Sequence, residues 1–85
     1  MCVPIRLPAL RTRDERIRVG VWYVEVGDSV DRGDRILEVG IRGISLAVDS
    51  PASGVLRRIE QWTDSVVEEG DVLGWIETTE GEEAG

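Results

Sequence analysis

"EVGIRGISLAVDSPASG", Glu38 to Gly54, is the stretch that decides the fold. It reads as a strand, a two-residue turn and a second strand, closed by a Pro/Gly loop. The turn is Arg42-Gly43, flanked by Ile41 and Ile44. Two-residue hairpin loops favour φ > 0, and glycine reaches that region at least cost. Gly43 is therefore assigned to turn geometry alone. Arg42 reads as a solvated charge at the tip, with Arg42 and Ile44 as the candidate contacts for a protein partner, because arginine is enriched at interfaces. Neither turn residue carries a primary amine.

The same grammar extends in both directions. No segment keeps a helical period over three turns, whereas short β-rich runs are broken by Gly, Asp and Pro throughout. "VPIRL" (3–7) alternates Val3, Ile5 and Leu7, and Pro4 and Pro8 mark it as an edge strand because proline donates no ladder bond. "RIRVGVWYVEV" (16–26) places Ile17, Val19 and Val21 on one face and Arg16 and Arg18 on the other. "VGDSV" is a turn with Gly27 expected at positive φ, and "DRGD" is another, leading into the strand "RILEVGI". After "SPASG" come the strand "VLRRIEQW", the turns "TDSV" and "EEGD", and a last strand "VLGWIE". Strand alternation requires at least one of Arg57 and Arg58 to point outward. The domain is expected over residues 1–77, followed by an acidic tail over 78–85, "TTEGEEAG", which lacks core-forming residues and is expected to be disordered.

An internal repeat is visible. "GDSVDRGDRILEV" (27–39) resembles "TDSVVEEGDVLGWI" (63–76), each with Asp-Ser-Val, then Gly-Asp, then an apolar strand. Neither half can bury its apolar face alone, so two sheets must close on each other. The expected class is all-β, a flattened barrel of two small antiparallel sheets with a pseudo-two-fold.

Composition narrows the function. The 85 residues suffice for one small domain with a thin core. A net charge of −7 repels nucleic-acid phosphates. No apolar run reaches membrane-spanning length and no secretory apolar stretch opens the sequence, so a cytoplasmic location is expected. With one cysteine, Cys2, and no histidine, the common metal and nucleophile–base constellations are not available. Asp28, Asp31 and Asp34 have turn spacing and lack the closing Glu of a calcium loop. Trp22 and Trp75 are assigned to packing in strands; Trp62 precedes a turn with room for partial exposure, and packing is favoured there over a small-ligand platform; no pocket is expected. All ten basic residues are arginine, and there is no lysine.

Four of these segments together resemble the biotinyl/lipoyl attachment domain family, with the lipoyl domains of 2-oxo acid dehydrogenase acyltransferases most similar. They are "IRLPAL", "VWYVEVGDSVDRGDRILEV", the Pro-x-x-Gly return in "DSPASGVL", and "VVEEGDVLGWIE", in order from about Val3 to Glu77. The resemblance implies a flattened β-barrel whose hairpin tip carries a lysine that accepts lipoate or biotin, typically within Asp-Lys-Ala. Counting forward from Glu38 or back from Pro51, that lysine position falls on Gly43; the Asp position holds Arg42 and the Ala position Ile44. Both cofactors attach as amides through a primary amine, and a guanidinium stays protonated and accepts acyl groups poorly. No cofactor, no metal and no catalytic residue is therefore expected. The reading is a non-catalytic docking or scaffolding module. Its partner would be an enzyme that handles lipoyl or biotinyl domains, or a second copy meeting an exposed edge such as the first strand. The rival is a lipoyl or biotinyl carrier domain of a multienzyme complex, in acyl or carboxyl transfer, from which the lysine is missing.

Overall fold

The computed structural model describes residues 1–10 and 16–78. These form eight strands: β1 Cys2–Arg6, β2 Ile17–Trp22, β3 Ser29–Val30, β4 Arg35–Ile41, β5 Ile44–Asp49, β6 Gly54–Ile59, β7 Val66–Val67 and β8 Val72–Thr78. Two antiparallel four-stranded sheets result, in the orders β1-β8-β6-β3 and β5-β4-β2-β7. The all-β expectation holds, and β1, with Pro4, lies at a sheet edge as expected.

The repeat seen in the sequence is a symmetry of the pairing. Mapping β2, β3, β4 and β5 onto β6, β7, β8 and β1 turns one strand order into the other. The backbone bonds follow the same map. Gly27 N–H donates to Leu56 O at 2.8 Å and Leu56 N–H to Asp28 O at 2.9 Å, while Asp64 N–H donates to Val19 O at 2.8 Å and Val19 N–H to Ser65 O at 2.9 Å. Each corner that follows a strand of one sheet is thus bonded to a strand of the other.

The corners themselves are built by one device. In Glu25–Asp28, Asp31–Asp34 and Glu68–Asp71 the fourth N–H bonds the first carbonyl at 3.0 Å. Gly27, Gly33 and Gly70 take φ of 102°, 90° and 87° at the third position, as a type II turn requires. The aspartate then accepts the first residue's N–H through Oδ2, at 2.8 Å for Asp28, 2.9 Å for Asp34 and 2.8 Å for Asp71. The positive φ expected at Gly27 is confirmed. The fourth corner, Trp62–Ser65, uses Asp64 at φ 72° in place of glycine.

One expectation needs correction, and its cause recurs in β6. Simple alternation puts Val21 on one face with Ile17 and Val19, but the β2–β4 register shifts between Val19 and Val21, a bulge at Gly20. Ile17 and Val19 are buried and Val21 is turned to solvent at 40% exposure. The equivalent shift lies between Leu56 and Arg58 in β6, so both Arg57 and Arg58 are exposed, in accord with the expectation that at least one points outward. Arg57 pairs with Glu77, and Arg58 with Glu60 at 3.3 Å.

The core lies between the sheets, with Ile5, Leu7, Val19, Ile36, Leu37, Val39, Leu56, Leu73 and Ile76 essentially inaccessible. β8 runs one residue further than the sequence boundary at Glu77. Thr78 is buried at 4% and its Oγ1 donates to Ser53 O at 2.9 Å, so it belongs to the barrel. The rest of the acidic tail, 79–85, lies outside the described residues. The return loop is held by Ser50 Oγ donating to Ala52 O at 2.7 Å, and it ends at Gly54, where β6 meets the end of β8.

A Cβ at Gly54 would stand 2.1 Å from Glu77 O, whereas one at Gly40 meets nothing nearer than Ile44 O at 3.9 Å. Gly54→Ala should therefore destabilise the domain by about 3 kcal/mol, the upper range for overpacking, while Gly40→Ala should change stability by less than about 1 kcal/mol. Urea denaturation of the two variants checks this contrast.

Candidate functional site

β4 and β5 project as a hairpin whose apex is Arg42-Gly43. Ile41 pairs with Ile44, so the loop has two residues. Arg42 adopts φ 52° and Gly43 φ 79°. Positive φ at both positions is the type I′ signature, whose twist matches that of the strands it joins. Gly43 thus does what the sequence reading assigned to it. Arg42 takes the left-handed region too, an uncommon place for a residue with a Cβ. Ile44 is 62% exposed and Arg42 is exposed, so the two candidate contact residues stand together at the tip; Ile41 is buried beneath them. Nothing lies within 4 Å of where a Gly43 Cβ would be, and the apex is open on that side.

The hairpin's root is tied to β2. The Tyr23 hydroxyl and the Glu38 carboxylate act on one another, and Arg35 approaches Glu38 at 3.8 Å. Tyr23 N–H is bonded to Ile36 O at 2.9 Å, which fixes the ring's starting point over β4. The carboxylate that accepts the phenol proton would be repelled by a phenolate, so it raises the Tyr23 pKa.

A second feature was not foreseen. Val21, Trp22, Val24, Val26, Ile59 and Trp62 line a cleft of about 490 Å³, with Glu25 as its ionisable wall residue. The expectation that so small a barrel forms no pocket is corrected here. The signal was in the sequence, in the cluster of apolar residues after Gly20, but the bulge that turns Val21 out was not legible. Trp22 sits half-buried with Nε1 donating to Gln61 O at 2.8 Å, and Trp75 Nε1 donates to Glu60 Oε2 at 3.0 Å, so both strand tryptophans are structural as expected. Trp62 is 60% exposed, so the packing favoured for it is corrected, while its partial exposure before the turn is found. With one ionisable group on the wall the cleft holds no acid–base pair. Asp28, Asp34 and Asp71 are occupied as turn acceptors, and no cluster among the described residues has the makings of a metal site. No helix in the described residues is long and apolar enough to cross a membrane.

Tyr23 is the only tyrosine, which makes its titration readable. The raised pKa stabilises the fold below the unfolded value near 10, and that contribution is lost as pH rises through the folded value. An ultraviolet titration should place the phenolate midpoint above 10, and Glu38→Gln should lower it by removing the largest cause.

Three comparisons bear on this arrangement. The biotin/lipoyl family model, described as biotin-requiring enzyme, matches residues 3–76. The chain is 37% identical over 67 residues to the dihydrolipoyllysine-residue acetyltransferase component of the acetoin cleaving system of Pseudomonas putida, covering 79% of this chain and 18% of that protein. It is 30% identical over 76 residues to the dihydrolipoyllysine-residue succinyltransferase component of the 2-oxoglutarate dehydrogenase complex of Rickettsia conorii, covering 89% and 19%. The chain thus spans about a fifth of the length of these relatives. Its fold is shared by the lipoyl domain of the 2-oxoglutarate dehydrogenase complex of Azotobacter vinelandii, with a TM-score of 0.68 at 23% identity, over 86% of this chain and 95% of that one. On the extent of the family match, the two-sheet architecture and the projecting β4–β5 hairpin, the chain belongs to the biotin/lipoyl domain family.

Proposed function

We infer that this protein is an unmodified member of the biotin/lipoyl domain family, a non-catalytic module that works by protein–protein contact. One observation carries the reading: the apex is Arg42-Gly43, and the sequence holds no lysine anywhere. The names of the relatives specify a dihydrolipoyllysine residue, and this chain has no side chain from which one could be made. The frame that would present such a group is complete, with its two-residue loop and open apex. What it offers instead is the guanidinium of Arg42 beside the exposed Ile44, a cationic and apolar pair on a domain of net charge −7. Arginine with an aliphatic neighbour suits recognition by a protein surface. The proposed partner is an enzyme that handles lipoyl or biotinyl domains and reads the barrel's shape, in the cytoplasm.

The carrier reading, with acyl or carboxyl transfer from the hairpin tip, has the relatives in its favour and needs an amine that the sequence does not contain. The two readings separate cleanly. Incubated with lipoate and biotin ligases and their activated cofactors, the wild-type chain should keep its unmodified mass. Gly43→Lys, which has room for a side chain and a turn penalty of about 1 kcal/mol, should gain one lipoyl or biotinyl group. A cofactor-sized adduct on the wild-type chain would overturn the proposal.

A further inference from the structure

Among the described residues, one sheet edge carries neither a proline nor the shortness that would block pairing. β1 ends its sheet but carries Pro4, and β3 and β7 end the two sheets with only two residues each. Proline and shortness are both devices that prevent edge pairing. β5 is the remaining edge, six residues long, and "ISLAV" (44–48) has neither a proline nor a charge. Ile44, Ser45, Leu46 and Ala47 are all exposed.

Strand parity says which groups are open. The pair that closes a two-residue hairpin is hydrogen-bonded, and bonded pairs alternate along an antiparallel ladder. Ile41↔Ile44, Val39↔Leu46 and Leu37↔Val48 are therefore the bonded pairs. The N–H and C=O of Ile44, Leu46 and Val48 go to β4, and those of Ser45 and Ala47 point away from the sheet. An incoming strand must meet those two residues.

The side chains select the same arrangement. Val48 is buried at 5%, Leu46 is 37% exposed and Ile44 is 62% exposed, along the face that looks toward the core. The apolar row thus runs progressively out of the barrel, and a neighbour on the open edge would cover it. If a second β5 arrives antiparallel and its Ser45 and Ala47 bond Ala47 and Ser45 of the first, Leu46 falls opposite Leu46. Ile44 then falls opposite Val48. The open hydrogen bonds and the uncovered apolar row are satisfied in a single register with two-fold symmetry. The charges agree with it: β5 is preceded by Arg42 and ends at Asp49, so antiparallel pairing brings each Arg42 to the end of the other strand that carries Asp49.

The geometry points to self-association of this chain through β5, two copies joining their four-stranded sheets into one eight-stranded sheet about a two-fold axis at Leu46. A single strand pair buries less than the roughly 1,200 Å² of a stable complex, and the net charge of −7 on each copy opposes approach. The association is accordingly weak and concentration-dependent. It is independent of whether the hairpin carries a cofactor.

The register makes a sharp test. In the non-hydrogen-bonded pair at the axis, the two Leu46 Cα atoms would lie about 4.5 Å apart, within disulfide range. Cys2 is an exposed free thiol and is first removed. In the Cys2→Ser background, Leu46→Cys should form a disulfide-linked dimer on mild oxidation at least tenfold faster than Ala47→Cys, which faces Ser45 rather than itself. Without any substitution at position 46, sedimentation equilibrium of the wild-type chain should show a monomer–dimer equilibrium by about 1 mM. Ala47→Pro, which removes an outward N–H that β4 does not use, should leave only monomer, with its fold checked by tryptophan fluorescence. A wild-type chain that stays monomeric over that range, equal crosslinking at positions 46 and 47, or a dimer that survives in folded Ala47→Pro would overturn the proposal.

Discussion

Everything in this fold depends on a reciprocal exchange of backbone hydrogen bonds between the sheets. The corner at Gly27-Asp28, which follows β2, is bonded to Leu56 in β6, and the corner at Asp64-Ser65, which follows β6, is bonded to Val19 in β2. Each half therefore closes the other's open end. In a chain of 85 residues the core is thin, and neither sheet could hold its buried face against water alone. The Gly-Asp turns make the exchange possible. Glycine supplies the positive φ, and the aspartate carboxylate satisfies an N–H that would otherwise be left at the corner.

That frame also explains why the hairpin projects. β4 is held on both sides, by β2 and β5, and its inner residues Leu37 and Val39 are fully buried. Toward Ile41 and Ile44 the burial on β5 runs out, and the two-residue loop stands clear of the barrel. A tip of this kind is paired and buried at its base and accessible at its end. What a protein can do with it depends on the side chains there. A lysine would make it an attachment point; Arg42, Gly43 and Ile44 bring no primary amine, and a protonated guanidinium does not form the amide that lipoate and biotin require.

Much of this was legible in the sequence, and the exceptions share a physical origin. The turn at Arg42-Gly43, the positive φ at Gly27, the edge position of β1 and the repeat between 27–39 and 63–76 are written in local chemistry: glycine, proline and aspartate have few conformations that suit them. The outward turn of Val21 and the exposure of both Arg57 and Arg58 were not legible. They follow from bulges at Gly20 and Arg57, and a bulge depends on how two strands meet rather than on the residues of either one. Val21, turned out by the first bulge, is one of the residues that line the cleft beside Trp62. The two-residue strands β3 and β7 lie in or beside segments that read as turns, since they exist only by pairing with β6 and β2. For the candidate site, the sequence was sufficient to locate the apex at Gly43, while the left-handed backbone of Arg42 and the open edge of β5 required the structure.

The central claim is that this hairpin is a complete presentation frame that carries no prosthetic group. The most direct test is the intact mass of the protein isolated from its own host, grown with lipoate and biotin available. The account predicts a mass that corresponds to the polypeptide alone. A population heavier by one lipoyl or one biotinyl group would contradict it.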